Sequence, residues 1–234
     1  MSKSTCSLCQ LWHSSIGKKI IVAVTGIALV GFLAGHLAGN LLMYSGPEAF
    51  NEYAEFLHSM LHGAGVWIAR IVLLTCLALH VTATIFLVKE NREKKGQGYE
   101  NEQTNVASGS SRIMIWSGLT ILFFIFFHIL HYTVRVDSEL AKAASTPDIY
   151  GNNNNAYEMV IIGFQSWYVT LFYIISVSLL CSHLSHGVAS IFQTLGLRTR
   201  NNAKLIEHGA KAYTAIIWIG FISIPLAVFF GIID

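Results

Sequence analysis

Of the ten histidines in this 234-residue chain, His36, His80, His128 and His183 fall inside long apolar runs. Polar side chains at that depth are expensive to bury and are candidates for function. Two imidazoles on facing helices fill both axial positions of a haem iron. An iron closed in this way transfers electrons and does not activate oxygen. His131 follows His128 by three residues, and His186 follows His183 by three. Three-residue spacing keeps both members of each pair near one helix face, so either could be the ligand.

The elements that must position these side chains are apolar helices. The chain is 53% hydrophobic and 12% charged, with a mean hydropathy of +0.54, whereas soluble domains carry about a quarter charged residues. Five segments run almost without charge: Ile20–Met43, Val66–Val88, Ile113–Val134, Val160–Gln193 and Ala212–Ile233. Each is long enough to cross a hydrocarbon core of roughly 30 Å at about 1.5 Å per residue. Backbone groups in lipid must be satisfied within the segment, which makes these spans helices. The expectation is one all-α membrane domain over residues 1–234, with five transmembrane helices and the first four forming a haem-binding bundle. No cleavable signal pattern precedes the first span, and no length remains for a separate globular unit.

Positive charge sorts by loop. Lys3, Lys18 and Lys19 precede the first span; Lys89, Arg92, Lys94, Lys95 and Arg112 lie between the second and third; Arg198, Arg200, Lys204 and Lys211 lie between the fourth and fifth. These are twelve residues on one side, against Arg70, Arg135 and Lys142 on the other. The bias puts the N-terminus in the cytoplasm and Asp234 outside. The net charge of +2 carries no nucleic-acid signal; the basic residues mark topology and a docking face.

Depth pairs the histidines. His36 lies 17 residues beyond Lys19, about 25 Å from the inner edge of an untilted helix. His128 lies 16 residues beyond Arg112, about 24 Å from that edge. His80 precedes Lys89 by nine residues and His183 precedes Gln193 by ten, which puts both about 13–15 Å from the inside. His36 and His128 match near the outer face, His80 and His183 near the inner one, with levels about 10 Å apart in depth. Isolated histidines bonded to neighbouring helices would not fall into paired depths. His131 lies about 4.5 Å further out than His128 and matches His36 less well. Depth counted from Arg198 instead of Gln193 favours His186 over His183. The residue that is not the ligand is free to hydrogen-bond a propionate or to stand behind the ligand.

Lesser signals complete the reading. Thr25-Gly26 precedes His36 by ten residues, as Ser117-Gly118 precedes His128. Such small residues either admit a bulky flat group at the inner level or serve plain helix packing. Arg70, near the outer level, is a partner for a haem propionate or snorkels to the interface. Cys6 and Cys9 form a CxxC followed by Gln10 rather than histidine, which excludes c-type haem attachment; Cys76 and Cys181 pack as small apolar residues. The loop Tyr44–Gly65 carries Phe50, Tyr53, Ala54, Leu57 and Leu61 at helical spacing, as a short surface helix would. Val136–Tyr157, with Pro147 and Asn152–Asn155, reads as turn. Lys89–Ser111 reads as a solvated connector. Trp67, Trp116 and Trp167 stand near span ends as interfacial anchors.

The stretches AVTGIALVGFLAGHLAGNL, SGPEAFNEYAEFLHS, LALHVTATIFLVKENREKK, IWSGLTILFFIFFHILHYT, CSHLSHGVASIFQTLG and SIPLAVFFG, in this order, carry a resemblance. The chain resembles, nearly end to end, the cytochrome b558 subunit of succinate dehydrogenase/fumarate reductase, the five-helix, di-haem kind. The resemblance implies His36, His80, His128 and His183 as axial ligands of two haems b, and chooses the first histidine of HLSHG on the fourth helix. It implies a flavoprotein subunit with FAD and an iron–sulfur subunit on the cytoplasmic face, menaquinone as the membrane substrate, and a bacterial cytoplasmic membrane. It also admits a higher oligomer of the complex.

Quinone chemistry needs an ionisable group. Glu48, Glu52, Glu55, His58 and His62 cluster in the first outer loop. By resemblance the acidic position of some family members falls near His58, which makes His58, and next Glu55, the candidates for proton exchange; the same residues also suit a solvated helix face. Where some relatives carry a glutamate two residues before the fourth-helix ligand, this chain has Cys181, and no Asp or Glu falls within the five segments. A carboxylate relay across the membrane is therefore not expected. A di-haem subunit of a hydrogenase or formate dehydrogenase shares the bis-histidine pattern but docks its partners on the opposite face. A haem-free transporter would instead show broken helices or an inverted repeat about a midplane polar site, and neither stands out.

Overall fold

The computed structural model describes residues 12–95 and 107–234. Lys3, Cys6 and Cys9, and the centre of the inner connector, lie outside the described residues. Among the described residues eight α-helices follow one another: α1 Ser15–Asn40, α2 Pro47–Ser59, α3 Ala64–Lys95, α4 Ala107–His128, α5 Ser138–Ser145, α6 Ala156–Gln165, α7 Trp167–Thr194 and α8 Ala203–Phe229. A 3₁₀ turn, Leu41–Ser45, extends α1, and a π-helical turn, Ile129–Val134, extends α4. There is no strand among the described residues.

Local chemistry sets the boundaries. Ser14 caps α1 by accepting from Gly17 N at 2.8 Å. Pro47 opens α2 with Glu48 in its first turn, where a missing N–H costs nothing and the acid complements the helix dipole. Asp137 caps α5 and Asn155 caps α6, accepting from Glu139 N and Glu158 N.

Among the described residues five helices are long and apolar enough to cross a membrane: Ser15–Ser45, Ala64–Glu93, Met114–Val134, Trp167–Thr194 and Ala203–Phe229. Their outer faces expose Ile71, Phe123 and many other large apolar side chains, a surface that suits lipid and would aggregate in water. Trp67, Trp116 and Trp167 are exposed, at 63%, 70% and 65%.

Two boundaries differ from the sequence reading. The run Val160–Gln193 is not one helix. It breaks at Ser166, whose backbone is extended, and Thr170 Oγ1 donates to the Phe164 carbonyl at 2.8 Å, satisfying an acceptor freed by the break. The last helix begins at Ala203 rather than Ala212 and ends at Phe229. The outer loop 136–157 also folds a short helix, α5, against α6, through Leu140, Ala143, Ala144 and Met159.

The long helices assemble as two packed pairs. α1 lies against α3, and α4 against α7; α1 also meets α7, and α8 packs on both α7 and α1. The fifth long helix is thus part of the bundle. Tyr213 Oη on α8 donates to Val30 O on α1 at 2.7 Å, and a β-carbon at Gly220 would run into Leu37.

The two ends of the bundle are fastened differently. At one end Lys18 Nζ, nearly fully buried, meets Glu90 Oε1 at 2.7 Å and donates to Trp12 O at 3.0 Å, tying α1 to α3. At the other end α2 lies over the end of α1, with Tyr53 against Gly39. Asn51, wholly buried, donates from Nδ2 to Asp148 at 2.9 Å and to Asn155 at 3.1 Å, and accepts from Tyr157 N at 2.9 Å. Tyr157 Oη reaches the carbonyl of Asp234 at 3.3 Å, so the chain end lies at this same end.

Candidate functional site

α1 and α4 bring His36 and His128 together edge to face, with ring centroids 5.8 Å apart and ring planes at 79°. Phe32 stacks on His36 at 5.2 Å, Phe221 of α8 approaches it at 5.7 Å, and Phe124 flanks His128 at 5.9 Å. The pair is enclosed by aromatic rings.

His80 of α3 and His183 of α7 form a second group. His80 Cε1 lies 3.6 Å from where a β-carbon of Gly26 would be, and His183 Cε1 lies 3.7 Å from the equivalent point at Gly118. Nδ1 of His80 is 3.1 Å from Thr25 Oγ1, and Nδ1 of His183 is 3.3 Å from Ser117 Oγ.

These contacts give the spacing of the levels directly. His80 sits at the height of Gly26 and His36 ten residues further along α1; His183 sits at Gly118 and His128 ten residues further along α4. Both helices return about 15 Å between levels. Depth counted from loop ends gave about 10 Å, because the ends of α1 and α3 extend past the charged residues used as markers.

Each candidate pair is drawn from helices that do not pack together. Neither α1 with α4 nor α3 with α7 is a packed pair among the described residues. Imidazoles brought together from two helices that make little other contact would suit a group that takes one nitrogen from each. A metal–imidazole nitrogen distance of about 2.0–2.1 Å on each side of one metal puts the two ring centroids about 6 Å apart, close to the His36–His128 spacing. Among the described residues no three His, Cys, Asp or Glu side chains converge as for a protein-only metal site; a haem iron asks for two.

The π-helical turn after His128 brings His131 inward and buries it, with Nδ1 3.2 Å from Tyr173 Oη and its ring 5.3 Å from Phe127. Tyr173 Oη is also 3.1 Å from His128 Nδ1. It is His128, not His131, that faces His36. His186 is exposed. Arg70 lies over the ring of Trp67 at 5.0 Å. His58 is exposed, with Nδ1 2.8 Å from Ala54 O; Glu55 accepts from Asn154 at 3.5 Å.

Sequence reasoning missed three side chains at the end of the bundle where Tyr132 meets Gly163. Tyr132 Oη, Arg135 Nε and Ser166 Oγ are buried without a hydrogen-bond partner among the described residues. Tyr132 presses on Gly163, Arg135 sits one turn further on in a left-handed conformation (φ 58°), and Ser166 is the break residue three positions after Gly163. Buried donors without acceptors are costly, and this set suits a group bearing acceptor oxygens. The signal available was Gly163 within an apolar run, a notch for a large ring.

Comparison with protein-family models, with characterised proteins and with solved structures finds no match to this chain.

Proposed function

We propose that this chain is the di-haem cytochrome b membrane subunit of a succinate:quinone oxidoreductase, exchanging electrons between an iron–sulfur subunit and menaquinone. The observation that carries the reading is the pair of imidazoles, His36 and His128, facing at 5.8 Å from unpacked helices, with His80 and His183 gathered at a second level. The choice of succinate as the donor rests on the resemblance in the ordered stretches around these histidines.

His36 and His128 would hold the outer haem b, and His80 and His183 the inner one. Bound there, haem would supply one-electron transfer. The helices fix the imidazoles, and the aromatic rings around the outer pair exclude water. Tyr132, Arg135 and Ser166 supply donors for propionate oxygens at the outer end. Arg70 lies over Trp67 and is the further candidate partner for a propionate.

His58 and Glu55 on α2 exchange protons with quinone at the outer mouth. Asn51 fastens the helix that carries them. The flavoprotein with FAD and the iron–sulfur subunit dock on the basic face, where Lys89, Arg92, Arg198 and Lys211 lie, in the cytoplasm of a bacterium; Asp234 is outside.

Reduction of the chain's haem absorption in membranes tests this reading. Succinate is expected to reduce it when the partner subunits are present, and fumarate to reoxidise it. Reduction by hydrogen or formate alone would transfer the chain to another quinone-linked dehydrogenase. Absence of any haem band would favour a transporter, although the one helix break found, at Ser166, lies 17 residues from His183 and at the outer end of α7.

A further inference from the structure

Thr25 and Ser117 touch the inner histidines in the same way, each across a packed helix pair. Thr25 on α1 meets His80 on α3, and Ser117 on α4 meets His183 on α7. Both hydroxyls are buried. Each is followed by the glycine that lies against the same imidazole, Gly26 and Gly118.

The direction of these bonds follows from the rest of the network. Thr25 Oγ1 donates its one proton to the Ile21 carbonyl at 2.6 Å, and Ser117 Oγ donates to Met114 O at 3.2 Å. Each oxygen then has only lone pairs to offer the imidazole. With the hydroxyl protons on those carbonyls, each opposing Nδ1 carries the proton and donates, and Nε2 keeps its lone pair. That tautomer is the one able to bind metal through Nε2.

We infer that Thr25 and Ser117 are positioning residues that lock His80 and His183 as Nδ1–H tautomers, orienting both Nε2 atoms toward one inner metal, while Gly26 and Gly118 leave the rings room to take that orientation. The inference rests on the haem reading above. The repeat is internal: each half of the bundle supplies a hydroxyl–glycine step ten residues ahead of its outer histidine. A hydrogen bond from Nδ1–H to a hydroxyl raises the electron density at Nε2 and stabilises the oxidised iron.

The test uses the full complex carrying Thr25→Val and Ser117→Ala, singly and together, followed by redox titration and low-temperature EPR of both haems. The inner haem is expected to shift to higher potential and to change its EPR g-values, most in the double variant, while the outer haem keeps its own. Thr25→Ser and Ser117→Thr, which retain the hydroxyl, are expected to restore the original signals. Loss of the inner haem from the double variant, with recovery in the hydroxyl-retaining pair, supports the same assignment. An unchanged inner potential and spectrum, or equal changes in Thr25→Ser and Thr25→Val, would overturn it. A parent complex without haem would instead overturn the haem reading on which it stands.

Discussion

Tyr173 Oη stands 3.1 Å from His128 Nδ1, joining α7 to α4 beside the ring that faces His36. The same oxygen is 3.2 Å from His131 Nδ1. One arrangement satisfies all three groups: His128 Nδ1–H donates to the phenol, and the phenol O–H donates to His131. It leaves His128 Nε2 free to bind metal, and it gives the second histidine of the pair a supporting role. Tyr173→Phe removes the acceptor and strands a buried N–H, at a cost of about 1–3 kcal/mol. The expected result is a lower melting temperature and an outer haem shifted to higher potential, read by thermal unfolding and redox titration, with the inner haem unmoved.

The buried amide of Asn51 is the knot of the outer end. Asn51→Ala leaves the Tyr157 N–H and the Asp148 carboxylate each short of a partner, for about 1–3 kcal/mol. Limited proteolysis is expected to cut sooner between α2 and α6 in this variant, while His36 and His128 keep their spectroscopic signature.

Asp148 makes the same knot pH-dependent. Burial acts to raise its carboxyl, but hydrogen bonds from Asn152 and Asn51 and from the backbone amides of Asn152 and Tyr150 outweigh it and hold the group below the usual carboxylate value. A depressed folded-state value stabilises the ionised form. The contribution is complete at neutral pH and is lost as pH falls from the usual carboxylate value through the depressed one. Hydrogen exchange in 148–157 is expected to rise across that acidic window, and Asp148→Asn to show the raised exchange already at pH 7.

Lys18 and Glu90 form the clamp at the opposite end, with side chains 4% and 32% exposed. Lys18→Ala strands a largely buried carboxylate partner. Glu90 keeps some solvent, so the cost is about 1–3 kcal/mol rather than that of a fully buried pair. The double change Lys18→Met, Glu90→Leu is expected to recover most of it in thermal unfolding, since an apolar pair avoids the desolvation.

Proton traffic is the fifth point of attack. No Asp or Glu lies between the inner and outer levels, and Cys181 stands two residues before His183. Protons should therefore be exchanged at the outer mouth, at His58 and Glu55. His58→Gln is expected to slow quinone turnover with succinate-to-dye activity preserved. A vesicle assay in which quinone turnover draws compensating protons through the membrane would contradict local exchange.

The histidine levels were legible in the sequence because a helix converts residue number into height at a fixed rise. The matched depths of His36 and His128 reappear as facing rings, and the Thr25-Gly26 and Ser117-Gly118 echo reappears at the inner histidines. The partners those histidines touch were not legible. Tyr173 is one aromatic among many in an apolar run, and only the π-helical turn after His128 swings His131 onto it. Nothing near Asn51 in sequence marked it, since the residues it binds lie about a hundred positions away. Lys18 read as a topology marker; its burial depends on α3 continuing straight past the apolar run to Glu90. The break at Ser166 was hidden in a segment whose composition is apolar on both sides.

The haem count of the purified chain is the most direct measure of the central claim. Two haems b per polypeptide are expected, falling to one in His36→Ala or His128→Ala, and to the other one in His80→Ala or His183→Ala. A colourless protein, or a single haem surviving all four substitutions, would contradict the account.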